Sequence, residues 1–96
     1  MKSKKVISLI KKHRSDLAKF GVKSLALFGS AAREEAKPNS DVDILVEFEG
    51  RATFDRFMDT KYYLEDLLGC RVDLVVPDAI KPRMKPAIMQ DLIYVA

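Results

Sequence analysis

From Val42 to Phe48 the chain alternates, with Val42, Ile44, Val46 and Phe48 on one side and Asp43, Leu45 and Glu47 on the other. A period of two is what a half-buried strand requires. The stretch is bounded by the turn residues Pro38-Asn39-Ser40 before it and by Gly50 after it. A carboxylate therefore sits inside the clearest strand of the sequence. Two other runs read as strands. Lys23 to Phe28 holds Leu25, Ala26, Leu27 and Phe28 in succession and ends at Gly29-Ser30. Arg71 to Val76 is aliphatic apart from Arg71 and Asp73, and it ends at Pro77.

Helical spacing fills the rest. Val6, Ile7, Ile10, Leu17 and Ala18 predict one helix from about Ser3 to Phe20, stopped by Gly21. Thr53 is placed to cap a second helix that runs to about Leu68, with Phe54, Phe57, Met58, Leu64 and Leu68 on one side and Gly69 as its C-terminal cap. Ala31 to Lys37 suits a helical turn. In the tail, Pro82 and Pro86 restrict any helix to a short one, and Ile93-Tyr94-Val95 suits a short extended piece. The order helix, strand, strand, helix, strand, helix predicts one α/β (α+β) domain over residues 1–96, a small mixed β-sheet with helices mainly on one face. With 96 residues the chain has room for one domain and not for two.

Several function classes are excluded. No apolar run approaches the roughly 20 residues that span a bilayer, and the basic N-terminus leads into an amphipathic pattern interrupted by Lys11, Lys12 and Arg14, not into a signal peptide. The expectation is a soluble, cytoplasmic protein. Cys70 is the single cysteine and His13 the single histidine, so an intrachain disulfide and a thiolate zinc cage within one chain are both ruled out. His13 reads as a solvated surface histidine and Cys70 as a partly buried small residue. Any metal chemistry must use carboxylates, which favour hard ions such as Mg²⁺ or Mn²⁺. The net charge of +3 is mild. Its basic residues crowd the two ends, where solvated helix faces account for most of them, and no direct nucleic-acid partner is expected.

Three features remain. Phe28-Gly29-Ser30 stops a buried strand in a glycine followed by a hydroxyl, which suits a close approach to phosphate and equally suits a plain turn. Asp41 and Asp43 are two apart and, if both are extended, share a sheet face; alternatively Asp41 belongs to the turn and Asp43 is an exposed strand residue. Asp73 lies in a strand, where aspartate is depleted, unless the position is an edge. If the two aspartate-bearing strands are neighbours, three carboxylates converge within about 5 Å and repel by roughly 3 kcal/mol per pair at an effective dielectric near 20. Divalent cations reverse that sign, and paired ions in carboxylate clusters commonly clamp phosphoryl and nucleotidyl transfer.

Gly29-Ser30, ten intervening residues, Asp41-Val42-Asp43 and a later Asp73 closely resemble the signature of the DNA polymerase β-like nucleotidyltransferase superfamily. The fuller stretches Leu27-Phe28-Gly29-Ser30-Ala31-Ala32-Arg33 and Ser40-Asp41-Val42-Asp43-Ile44-Leu45-Val46 are similar to its smallest branch, the MNT proteins. The resemblance covers nearly the whole chain, including Lys81-Pro82-Arg83. One departure is Glu34, where the branch often has glycine after the motif arginine; it bears on the loop geometry and not on the carboxylates.

The resemblance implies that Asp41, Asp43 and Asp73 are catalytic and hold two Mg²⁺ ions, and that Gly29 and Ser30 bind the β- and γ-phosphates of ATP. Arg33 is implied to neutralise charge there, although a surface ion pair with a nearby glutamate suits it as well. It implies an antitoxin that transfers AMP from ATP to a tyrosine of a partner HEPN toxin, an RNase. Two rivals stay open: a non-catalytic antitoxin acting by tight association, and a nucleotidyltransferase acting on a small molecule.

Overall fold

The computed structural model describes residues 3–29 and 41–95 of the chain. Helix α1 spans Ser3–Lys12 and α2 spans Arg14–Lys19, followed by strand β1, Val22–Phe28, and strand β2, Val42–Phe48. Helix α3 spans Phe54–Leu68 and leads to strand β3, Val72–Val75. A 3₁₀ turn at Pro77–Ala79, a short helix α4 at Lys85–Gln90 and strand β4 at Ile93–Tyr94 complete the chain. The strand order is β3-β2-β1-β4, and the sheet is mixed. β1 is antiparallel to both β2 and β4, whereas β2 and β3 are parallel.

The expected single N-terminal helix is two. The His13 ring is the reason. Its Nδ1–H donates to the Leu9 carbonyl at 2.9 Å, the acceptor that the His13 backbone N–H would use in an unbroken α-helix. That N–H turns instead to Ile10 O at 3.1 Å, tightening the turn before α2 begins. His13 is also half-buried, not solvated, with its ring edge-on to Tyr63 at 6.5 Å between centroids. Tyr63 in turn packs on Phe20 and donates its hydroxyl to Asp16 at 3.0 Å.

Helix α3 begins and ends where its caps dictate. Thr53 Oγ1 accepts from the Arg56 N–H at 3.2 Å, and Gly69 closes the helix in the left-handed region at φ 68°. The face that α3 buries differs from the expected one. Leu64 and Leu68 are buried, but Phe54 is 76% exposed and Thr60 is fully enclosed in its stead. Thr60 tolerates this because its hydroxyl donates to Arg56 O at 2.7 Å, leaving no orphaned polar atom. Glu65 accepts from the Val72 N–H at 3.1 Å, which ties the start of β3 to the last turns of α3.

Both sheet faces are covered, unequally. On one face Leu25, Leu27, Val42, Ile44, Val46, Val72 and Leu74 pack with Val6, Ile10, Leu17 and Leu64 of α1, α2 and α3. On the other, a smaller cluster of Ala26, Phe28 and Leu45 is capped by Ile80, with Val75, Ile88 and Leu92 against it. Helices thus lie mainly on one face, and the tail between β3 and β4 roofs part of the other.

Candidate functional site

The site is built at one end of the second face. Asp43 on β2 and Asp73 on β3 are register partners in the parallel pair, so their Cα atoms stand side by side, about 4.8 Å apart across the ladder, with both carboxylates on the same face. Alternation fixes which face. Val42 and Ile44 are consumed by the helix-side core, which leaves Asp43 and Leu45 on the opposite side, and Val72 and Leu74 do the same for Asp73. Asp43 is half-buried and Asp73 exposed on the edge strand. Asp41 precedes β2 by one residue and is exposed. The Val42 N–H donates to Arg71 O at 2.9 Å, which extends the β2–β3 pairing back to the point where Asp41 enters.

Across the other ladder Asp43 faces Phe28, the last residue of β1, so Gly29 arrives beside it. Gly29 has φ 67°, and a Cβ built on it would land on the Asp43 carboxylate. Only glycine lets β1 end there with Asp43 in place. Ser30 and Arg33, the remaining residues expected at this site, lie outside the described residues, as do Glu34, the Ala31 to Lys37 turn and Pro38 to Ser40.

The carboxylates share a face but are not prepacked into a cage. Among the described residues, no group of three His, Cys, Asp or Glu side chains is close enough to hold an ion. That suits Mg²⁺, which takes one or two carboxylates together with substrate phosphates and keeps waters, and seldom uses an all-protein cage. The donor set is hard oxygen only, and the missing Cβ of Gly29 makes the room that the Asp43 carboxylate itself occupies. The residues present therefore fit Mg²⁺. Nearby, burial pushes the Cys70 thiol above its ordinary range, and the charges of Asp41 and Glu65 push the same way. A protonated thiol does not compete for a hard cation.

Two placements were not legible in the local pattern. Because β4 runs antiparallel to β1 with Leu27 opposite Ile93, the chain enters β4 from the Gly29 end, which brings the half-buried Asp91 to the same edge of the sheet. A separate cleft of about 520 Å³ opens at the far end of β2 and β3, between Val46–Phe48, Gly50–Ala52 and Val76–Asp78. Its Glu47 is four residues along β2 from Asp43, roughly 13 Å by strand rise, so the cleft does not belong to the carboxylate site.

Comparison with known proteins assigns the chain to a family and matches its fold. A family model described as a nucleotidyltransferase domain matches residues 7–95. Protein adenylyltransferase MntA of Thermococcus cleftensis is 42% identical over 89 residues, covering 92% of this chain and 90% of that protein. A candidate protein adenylyltransferase of Methanocaldococcus jannaschii is 49% identical over 89 residues, 91% of either chain. Among solved structures, a protein described as a candidate minimal nucleotidyltransferase superposes with a TM-score of 0.83 at 34% identity, covering 97% of this chain and 95% of its own. Two toxin–antitoxin complexes share the fold at lower identity. One, with AMP-PNP, has a TM-score of 0.71 at 19% identity over 90% of this chain and 72% of that one. The other, a tri-AMPylated Shewanella oneidensis HEPN toxin with its MNT antitoxin, has a TM-score of 0.65 at 17% identity over 94% and 71%.

Proposed function

From the premise that this chain belongs to the nucleotidyltransferase domain family, we propose that it transfers AMP from ATP to a tyrosine hydroxyl of a partner HEPN toxin and thereby silences it. The observation that carries the reading is the Asp43–Asp73 pair, in register on one open face, with Gly29 cleared beside Asp43. Relatives named as protein adenylyltransferases and fold neighbours that are complexes of MNT and HEPN proteins support the choice of acceptor.

In this reading Asp41 and Asp43 hold Mg²⁺ and Asp73 completes the metal site on the acceptor side. Bound there, two Mg²⁺ ions supply charge neutralisation of the triphosphate and of the leaving pyrophosphate. Gly29 and Ser30 receive the β- and γ-phosphates, with Arg33 adding positive charge. The acceptor oxygen bonds to the α-phosphorus as the bond from that phosphorus to the β-bridging oxygen breaks, and pyrophosphate leaves in line. The tyrosine proton passes to the Asp73 carboxylate, which is exposed on the edge strand and so open to an incoming hydroxyl. The helix-side face is filled, so substrates approach over the face that carries the carboxylates.

The test mixes the chain with its HEPN partner, Mg²⁺ and ATP labelled at the α-phosphate. Label is expected on the toxin with the wild-type chain and absent with Asp43→Asn, while the complex still forms. Full neutralisation by Asp43→Asn, without label, sinks the enzymatic reading in favour of neutralisation by association. Labelled product without any partner protein points to a small-molecule acceptor.

A further inference from the structure

The segment that roofs the carboxylate face is itself almost bare. From residue 81 to residue 90 every side chain is exposed except Ile88, which is half-buried. Three apolar anchors, Ile80, Ile88 and Leu92, hold it on Ala26, Phe28, Leu45 and Val75. Helix α4 has six residues, far below the roughly 12–15 at which an isolated helix becomes even marginally stable. Pro82 and Pro86 stiffen it and pre-set its direction. What this scaffold displays is Met84 and Met89, 49% and 48% exposed, together with Lys81, Arg83 and Lys85. Lys85 and Met89 are four apart and share a face of α4. None of the three cations makes an ion pair among the described residues.

Position gives this surface a role. Leu45 and Val75, which the tail covers, are register partners two residues along from Asp43 and Asp73 on the same face. The roof therefore begins about 7 Å from the carboxylate pair. Resting on the function proposed above, we infer that the exposed surface of residues 81–90 is the docking site for the partner protein, receiving an acidic and apolar segment that sits beside the acceptor tyrosine. The three cations, which make no ion pair among the described residues, select negative charge, and the two methionines supply adaptable apolar contact of the kind enriched at protein interfaces. Rigid presentation by the prolines lowers the ordering entropy that docking must overcome. A partner seated there projects its hydroxyl over the edge of the roof toward Asp73.

The test uses the full chain carrying Asp43→Asn, which isolates binding from transfer. In that background, Lys81→Glu/Arg83→Glu/Lys85→Glu and, separately, Met84→Ser/Met89→Ser are titrated with the HEPN partner and with a labelled single-stranded RNA, while the same substitutions in the chain with Asp43 intact are titrated with a non-hydrolysable ATP analogue plus Mg²⁺. Each double or triple variant is expected to lose roughly 30-fold or more in affinity for the partner, the threshold of an interface hot spot. Nucleotide affinity and thermal midpoint are expected to stay at the parent values, and the parent's partner affinity to fall with added salt while the charge-reversed chain responds less. Unchanged partner affinity overturns the inference. So does a loss of nucleotide affinity, which assigns the cations to the triphosphate, or RNA binding that the reversal abolishes while the partner still binds. Failure here with label transfer intact in the Asp43 chain leaves the proposed reaction standing, so the two readings fail separately.

Discussion

Two glycines with nearly the same backbone angle allow the role of Gly29 to be separated from its conformation. Gly29 has φ 67° and Gly69 has φ 68°. An alanine in the left-handed region is strained by roughly 1–2 kcal/mol at either position. At Gly69 nothing else happens, because an added Cβ meets no atom within 4 Å. At Gly29 the methyl lands on the Asp43 carboxylate and lies 3.2 Å from its Cγ and 3.5 Å from its Cβ. Overpacking of this kind adds about 1–3 kcal/mol when the neighbour cannot yield.

If the carboxylate swings aside instead, the added stability penalty shrinks toward zero but the proposed metal ligand is displaced. Either way transfer suffers, since a misplacement of about 1 Å at a reacting centre lowers rate by about 100-fold. Gly69→Ala is therefore expected to lower the thermal midpoint by about 4–8 °C per kcal/mol, for a domain of this size, with AMP transfer unchanged. Gly29→Ala is expected to lower the midpoint at least as far and to lose about 100-fold in transfer rate. Circular-dichroism melts and α-phosphate label transfer measure both. A Gly29→Ala chain that transfers label at the wild-type rate refutes the reasoning, because Asp43 could not then be both crowded by the methyl and needed where it stands.

Asp73→Asn removes like-charge repulsion with Asp43, and its exposure keeps the gain in metal-free stability to about 1 kcal/mol, read by chemical denaturation in EDTA; the same variant is expected to lose the Mg²⁺-dependent part of nucleotide binding. Leu64→Ala, at a fully buried position of α3, is expected to destabilise by about 2–5 kcal/mol with an unchanged denaturant slope. Tyr63 titrates above its ordinary value of 10.0, chiefly because of burial and also because it donates to Asp16 and feels that charge. The folded state then holds this proton more tightly than the unfolded state, so the contribution is present below pH 10 and is lost as pH rises through the raised value. Tyrosinate absorbance in wild type and Tyr63→Phe should show the missing high-pH component, and the variant's stability should fall less between neutral pH and that range.

What could be read from the chain before its structure follows physical locality. β2 has the expected bounds because one alternating run and two turn signals define it within about a dozen residues. Thr53 and Gly69 cap α3 as expected because capping involves only neighbours along the chain. The break at His13 was not legible, since it depends on which acceptor an imidazole takes, and no periodicity encodes that. Phe54 and Thr60 were exchanged for a related reason: counting apolar residues ranks Phe54 above Thr60, but Thr60 can bury its hydroxyl on Arg56 O and faces the core, while Phe54 lies at the solvated first turn. At the site, Asp43 and Gly29 were marked by type and spacing. Their contact, and the register that sets Asp43 beside Asp73, come from strand pairing between segments about fourteen and about thirty residues apart. That β4 joins the outer side of β1 and brings Asp91 to the Gly29 end is topology, which no local pattern carries.

The carboxylate pair also separates a functional cause from a protective one. An exposed charge on an edge strand guards against pairing with other chains, and Asp73 on β3 would do that alone. Edge protection does not explain Asp43, because β2 is an interior strand with both neighbours in place. Like charges directly opposite one another destabilise a sheet, and a hydrogen-bonding neutral residue at position 43 would relieve the conflict. Gly29 adds a second sacrifice at the same point, giving up a side chain and taking φ 67° so that the carboxylate has room. Two independent local penalties, on two strands separated in sequence, converge on one oxygen group. A small domain with about 5–10 kcal/mol of net stability keeps such penalties where, on the function proposed above, a bound cation and its phosphates would reverse their sign.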